Sequence, residues 1–169
     1  MKIDEYSSFH NVYVIGLENA GKSTFINSFA GKASAKTGNK PGVTKGKQWI
    51  RLSKDVELLD TPGVLWPKFE DPTVGIHLAM IGAIGDNVLE LSELSLETLQ
   101  FLAEYYPEHL TERYGVSPEK RDAAELLTEI ARARNCIKKG NEIDYDRAAN
   151  LIVDEFRNGV IGPVSIERV

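Results

Sequence analysis

Eight residues near the start of the chain have the types and spacing needed to bind phosphate. They run from Gly16 to Ser23 and read GLENAGKS, which fits the pattern GxxxxGK[ST]. Glycines in such a loop let backbone N–H groups face an anion, the lysine brings positive charge to the β- and γ-phosphate oxygens, and the serine hydroxyl binds Mg²⁺. Lys22 and Ser23 hold those last two positions. The loop therefore predicts a nucleoside triphosphate site.

Two later segments carry further groups that phosphoryl transfer requires. Residues 60–63 read DTPG, and Thr44 lies in the polar loop that precedes them. Because the triphosphate must be neutralised and its Mg²⁺ held, we expect Ser23, Thr44 and Asp60 to be the metal residues. Thr44 fits the switch I threonine that closes the metal shell, and Asp60 would act through water. We expect the Gly63 N–H group to contact the γ-phosphate.

The attacking water lacks its usual partner in this sequence. Ras-like GTPases carry a water-orienting glutamine directly after DTPG, whereas this chain has Val64, whose side chain cannot hydrogen-bond. Asn19 is either a turn former or a residue that helps to bind K⁺ in place of the glutamine. We take Asn19, Lys22 and Thr44 as the candidate catalytic residues. The residues expected to bind the nucleotide are Gly16, Glu18, Asn19, Ala20, Gly21, Lys22, Ser23, Thr24 and Gly63.

The elements around these motifs must bring them together. Residues 11–15 read as a strand that enters the loop, and residues 23–30 as a helix that leaves it. Residues 48–52 and 56–60 should pair as a hairpin that ends at Asp60. The predicted fold is therefore α/β, with a partial P-loop NTPase (Ras-like) three-layer sheet.

The second half of the chain reads as helices. Its expected helices cover residues 73–84, 92–106, 107–114, a segment from the N-cap Ser117 to about 136, and a last helix capped by Asp144. We therefore expect a partial G domain in residues 1–85, followed by a small all-α domain in residues 86–169.

Charge and composition limit the classes of partner. The 169-residue chain has a net charge of −5, divided as +2 over residues 1–85 and −7 over residues 86–169. Such an acidic second half argues against unspecific binding to a nucleic-acid backbone. A local basic cluster is either a solvated helix face or an RNA contact; it consists of Arg132, Arg134, Lys138 and Lys139. No apolar run approaches a membrane span, so we expect a cytoplasmic protein without a membrane partner.

The motifs together resemble one family. Residues 58–71 read LLDTPGVLWPKFED, and residues 41–45 read PGVTK. With the phosphate loop, these segments resemble the bacterial ribosome biogenesis GTPase A (YlqF/RbgA) family. That resemblance implies a circularly permuted GTPase that uses Mg²⁺, binds GTP and GDP, and acts with the large ribosomal subunit precursor and rRNA. One departure is Glu18, where the family usually has proline.

Guanine recognition has no convincing motif. An NKxD element is expected, but Asn39 and Lys40 are followed by Pro41 and Gly42. In a permuted GTPase that element precedes the phosphate loop, so we expect this chain to lack the N-terminal G4/G5 half. The strand at residues 12–15 would then be an exposed apolar edge, guanine selectivity would be weak, and the missing half, if made separately, is a candidate partner.

The sequence also permits two functions other than that of a ribosome-assembly GTPase. One is a noncatalytic ribosome- or RNA-contacting fragment with a vestigial phosphate site. The other is a generic P-loop ATPase, which the missing NKxD permits.

Overall fold

The computed structural model describes residues 10–38, 41–64, 71–85 and 90–167. The chain forms two compact units, Met1–Lys68 and Phe69–Val169. Asn39 and Lys40, and the LWPKFE part of the family-like run at residues 65–70, lie outside the described residues.

The first unit contains a three-stranded sheet and one helix. Its elements are β1 (His10–Val14), α1 (Lys22–Ala30), β2 (Gln48–Arg51) and β3 (Val56–Asp60). The strand order is β1-β3-β2, with β1 parallel and β2 antiparallel to β3. The expected hairpin is therefore present. Because Val14 and Asp60 are paired across β1 and β3, the segments that follow these two strands begin side by side.

Burial in the first unit is concentrated on the central strand. Leu58 packs with Ile26 of α1 and Ile50 of β2 in a small apolar core. In contrast, β1 pairs on one side only among the residues that the structure describes, and Val12 and Tyr13 are 44% and 57% exposed. The central strand β3 is therefore well covered, whereas the edge strand β1 is not.

The second unit is helical. It contains α2 (Pro72–Met80), α3 (Leu91–Tyr105), α4 (Pro107–Tyr114), α5 (Ala123–Ala133) and α6 (Tyr145–Arg157). Its main core is formed by fully buried aliphatic side chains of the last four helices, including Leu99, Leu102, Leu110, Leu126, Ile130 and Ile152. Within the described parts of the chain, no helix combines the length and apolar character of a membrane span.

Helices α2 and α5 differ from their expected bounds, and α5 ends at Ala133 rather than at about residue 136. Helix α2 ends at Met80 rather than at residue 84, because the chain turns at Gly82, whose φ is 72°. Helix α5 begins at Ala123, and Ser117 is not its cap. Asp122 caps it instead, in a capping box with Glu125.

The division between the units also differs from the expected boundary at residue 85. Ala79 and Met80 of α2 pack in a cluster with Leu94 of α3 and Val153 of α6. The Arg157 side chain donates hydrogen bonds to the carbonyl oxygens of Ala79 and Met80, at 2.8 and 3.3 Å. Helix α2 therefore belongs to the helical unit by its packing.

Candidate phosphate and metal site

The loop between β1 and α1 is curled by two residues with positive φ. Asn19 has a φ of 53°, and Gly21, the N-cap of α1, has a φ of 80°. Glycine adopts the left-handed conformation without a Cβ penalty, and asparagine tolerates it better than most residues. The curl leads directly into the helix at Lys22, so the N–H groups of the first helical turn face the space in front of the loop.

Lys22 folds its ammonium group over the same loop. Its Nζ donates to the carbonyl oxygens of Gly16 and Leu17, at 3.2 and 2.6 Å. These contacts place the positive charge at the start of the loop. With the helix N-terminus behind it, the loop presents N–H donors and a cation to an anion.

Three oxygen-bearing side chains from distant parts of the sequence meet beside the loop. Ser23 Oγ donates to Asp60 Oδ2 at 2.9 Å and lies 3.1 Å from Thr44 Oγ1. A hydroxyl has one proton to give, so Thr44 is the donor toward Ser23. The structure thus brings together the three residues expected to hold the metal.

Asp60 has one buried carboxylate oxygen that makes no hydrogen bond to any described residue. It is 1% exposed at the end of β3, and its Oδ1 atom is buried without a hydrogen-bond partner. Buried polar atoms are nearly always satisfied, so such an atom calls for an explanation. Mg²⁺ commonly takes one or two carboxylates together with phosphate oxygens and water, and the hydroxyls of Ser23 and Thr44 suit the same hard cation. The chemistry of these donors therefore suits Mg²⁺.

The DTPG turn is held against the phosphate loop. Thr61 Oγ1 donates to the Val14 carbonyl at 2.8 Å, and the Val64 N–H donates to the Gly16 carbonyl at 3.2 Å. Gly63 lies so close to the backbone and Cγ of Glu18 that no Cβ would fit at that position. The turn therefore needs glycine at residue 63. Val64 itself is 62% exposed.

One pocket is lined by most of the residues expected to bind the nucleotide. They are Glu18, Asn19, Ala20, Gly21, Lys22, Ser23, Thr24 and Gly63, with Thr44 beside them. Gly16 does not line this pocket, since its carbonyl instead binds Lys22 and Val64. Asp60 is buried behind Ser23.

Asn27 was not among the residues expected at the site, although it positions part of it. Its Oδ1 accepts hydrogen bonds from the N–H groups of Ser34 and Ala35, and its Nδ2 donates to the Ala35 carbonyl at 2.8 Å. These bonds anchor the segment whose next residues, 36–38, line the pocket. The only sequence signal for this role is that a polar amide directly follows the core residue Ile26 in α1.

Curated relatives agree with the motifs. The chain is 47% identical over 154 residues to ribosome biogenesis GTPase A of Bacillus cereus, covering 91% of this chain and 52% of that protein. It is 32% identical over 157 residues to the Thermotoga maritima protein of the same name, covering 93% and 56%. The chain thus spans about half the length of these relatives. They confirm the resemblance to the ribosome biogenesis GTPase A family.

Solved structures of YlqF and one family model also match this chain. A GNP-bound YlqF from T. maritima matches with a TM-score of 0.60 and 30% identity, covering 95% of this chain and 60% of that one. A GDP-bound YlqF matches at the same TM-score with 29% identity. Residues 11–137, which include the loop, Thr44 and the DTPG turn, match a family model described as "50S ribosome-binding GTPase". By its motifs, its site and this match, the chain belongs to the family of 50S ribosome-binding GTPases.

Proposed function

We propose that this chain binds GTP and GDP with Mg²⁺ and hydrolyses GTP during assembly of the large ribosomal subunit, in the cytoplasm. The observation that carries the proposal is the meeting of Ser23, Thr44 and Asp60 beside the phosphate loop. The names of the relatives, ribosome biogenesis GTPase A, support the cellular role. The large-subunit precursor and its rRNA are the proposed partners.

Each proposed role follows from the position of the residue. Lys22 and the loop N–H groups neutralise the β- and γ-phosphates, while Ser23 and Thr44 bind the metal and Asp60 approaches it through water. Ser23, Thr44 and Asp60 would hold Mg²⁺, which would neutralise negative charge on the phosphates during transfer. The Gly63 N–H group, in the turn that closes on the loop, would sense the γ-phosphate. Thr44 couples the same metal to the loop that precedes β2.

Potassium is the proposed additional cofactor. Val64 cannot orient water, and Asn19 lies in the pocket next to the phosphate positions. In this role the Asn19 amide oxygen would help to hold K⁺, which would supply positive charge to the phosphates.

Base selectivity is proposed to need residues beyond the motifs of this chain. The sequence contains no NKxD, the element whose Asp accepts hydrogen bonds from the guanine. Hydrogen bonds to a charged group such as this carboxylate contribute about 1.5–3 kcal/mol each. We propose that the first unit, residues 1–68, acts as the phosphate half of a G domain and that the exposed β1 edge accepts the base-recognition half. The helical unit, residues 69–169, is the proposed ribosome-contacting domain.

Hydrolysis assays test the proposed function. Phosphate release from GTP should require Mg²⁺, should be faster in KCl than in NaCl, and should rise when large ribosomal subunits are added. Lys22→Ala should abolish phosphate release. Lys54→Ala is the control, because Lys54 is exposed in the β2–β3 turn, and it should leave the release unchanged. No turnover under any of these conditions would favour the noncatalytic alternative. If unlabelled ATP and unlabelled GTP displace labelled GTP equally well, base selectivity is weak. If ATP displaces it better than GTP does, the ATPase alternative is favoured.

A further inference from the structure

Glu18 brings a negative charge to the point where the phosphate loop meets the DTPG turn. It lines the pocket together with Gly63, and a Cβ added at Gly63 would overlap the Glu18 N, Cα and Cγ atoms. The Val64–Gly16 hydrogen bond fixes the same closure from the neighbouring residue. The loop and the turn are thus in direct contact at this end of the pocket.

In the proposed function, the γ-phosphate lies on the Gly63 side of the pocket. The β-phosphate is held by the loop N–H groups ahead of α1, whereas the γ-phosphate extends toward the N–H group of Gly63. A triphosphate therefore brings additional negative charge to the side of the pocket that Glu18 and Gly63 line. A diphosphate ends before this point and does not bring that charge.

We propose that Glu18 makes this site discriminate in favour of nucleoside diphosphates over triphosphates, an inference that rests on the proposed nucleotide-binding function. Like charges a few ångströms apart in a half-exposed pocket repel, and the repulsion is reduced but not removed by solvent. Glu18 is therefore a specificity-determining residue, acting on the number of phosphates rather than on the base. The Mg²⁺ ion and Lys22 offset part of its charge in the triphosphate complex.

The test measures dissociation constants of fluorescent GDP and of fluorescent non-hydrolysable GTP for the full chain in Mg²⁺. Glu18→Gln keeps the side-chain length and removes the charge. We expect the ratio of the triphosphate to the diphosphate constant to fall roughly fivefold in this variant, mostly through tighter triphosphate binding. The difference from the wild type should shrink at high salt, since part of the repulsion is screened. Asp55→Asn is the charge-matched control, because Asp55 precedes β3 at the end of the sheet away from the loop, and it should leave the ratio unchanged.

Three other outcomes have definite meanings. An unchanged ratio in Glu18→Gln, with both nucleotides still bound, overturns the inference and leaves the proposed function standing. A lower ratio in Glu18→Ala but not in Glu18→Gln also overturns it, because side-chain size and not charge would then be responsible. If the wild type and the variants bind neither nucleotide, the proposed function fails and this inference fails with it.

Discussion

Ser23 is the middle member of the three oxygen-bearing side chains at the site. Its hydroxyl donates to Asp60 and accepts from Thr44, so it contacts both of the other side chains. Removing the hydroxyl deletes a metal ligand and leaves the buried Asp60 carboxylate without the described hydrogen bond. Both effects act on the metal site rather than on the phosphate loop.

We expect Ser23→Ala to weaken nucleotide binding about tenfold in Mg²⁺ and much less in EDTA, because the lost interaction is with the metal. Titration of fluorescent GDP in the two media measures both values. Ser28→Ala is the control, since Ser28 is exposed one turn further along α1. An equal loss in both media would mean that Ser23 acts on the loop and not on the metal.

Asn19 provides a second prediction for a single side chain. Replacement by glycine suits its φ of 53°, so Asn19→Gly removes the amide with little backbone strain. If the amide helps to bind K⁺, the ratio of the hydrolysis rates in KCl and NaCl should fall toward one in this variant. A ratio that stays at the wild-type value would leave Asn19 as a turn former.

At the level of elements, two possible N-caps for α5 lie close together in the sequence. Ser117 followed by Pro118 is typical of a helix start, yet the capping box at Asp122 and Glu125 is the one that forms. The Asp122 carboxylate accepts from the Glu125 N–H at 2.8 Å, and the Glu125 carboxylate accepts from the Asp122 N–H at 3.2 Å.

Asp122→Ala should lower the free energy of unfolding of the helical unit by about 1 kcal/mol, the usual effect of losing an N-cap. Ser117→Ala should change it by less than about 0.5 kcal/mol, as for an exposed surface position. Urea unfolding followed by circular dichroism compares the two variants directly. The reverse order would place the cap at Ser117.

Helices α4 and α6 are joined by a partly buried ion pair. Arg113 donates to both oxygens of Glu155, at 2.8 and 2.5 Å, and the Tyr114 hydroxyl donates to the same carboxylate at 2.9 Å. The hydrogen bonds from Arg113 hold the pKa of Glu155 below its ordinary value of about 4.5, in opposition to burial. Folding thus favours the ionised carboxylate.

This direction fixes how stability depends on pH. The contribution of Glu155 is fully present above its unfolded pKa and is lost as pH falls through the lower folded pKa, so stability should decline below about pH 4.5. Glu155→Gln should cost roughly 1–3 kcal/mol at pH 7 and flatten part of that decline. Urea midpoints between pH 3 and 7 provide the measurement, with the exposed Glu97→Gln as control. An unchanged acid limb in Glu155→Gln would assign the decline to other carboxylates.

The sequence predicts the local parts of this molecule better than the distant pairings. The loop, the hairpin and the capping residue Asp144 follow from short patterns, and Asp60 reaches the site because β3 ends there. The Arg113–Glu155 pair joins residues 42 positions apart, and no local period marks it. The grouping of α2 with the helical unit likewise depends on tertiary packing at Ala79 and Met80.

At the scale of the whole molecule, the two units differ in how well their elements are covered. Helices α3, α5 and α6 surround a core of fully buried side chains that includes Leu99, Ile130 and Ile152. The sheet of the first unit rests on a much smaller cluster, and β1 exposes the apolar side chains of Val12 and Tyr13. Local opening costs less free energy where few apolar contacts must be broken.

Hydrogen exchange of the full chain should therefore show two levels of protection. Amides of α3, α5 and α6 should exchange slowest and through global unfolding of their unit, whereas those of β1 should exchange orders of magnitude faster. Adding GDP and Mg²⁺ should slow exchange at residues 16–24 and 60–64 while the helical amides keep their rates, because the ligand contacts lie in the first unit. Mass spectrometry of peptic fragments resolves these segments. Equal protection of β1 and α5 without nucleotide would mean that the two units unfold as one cooperative structure.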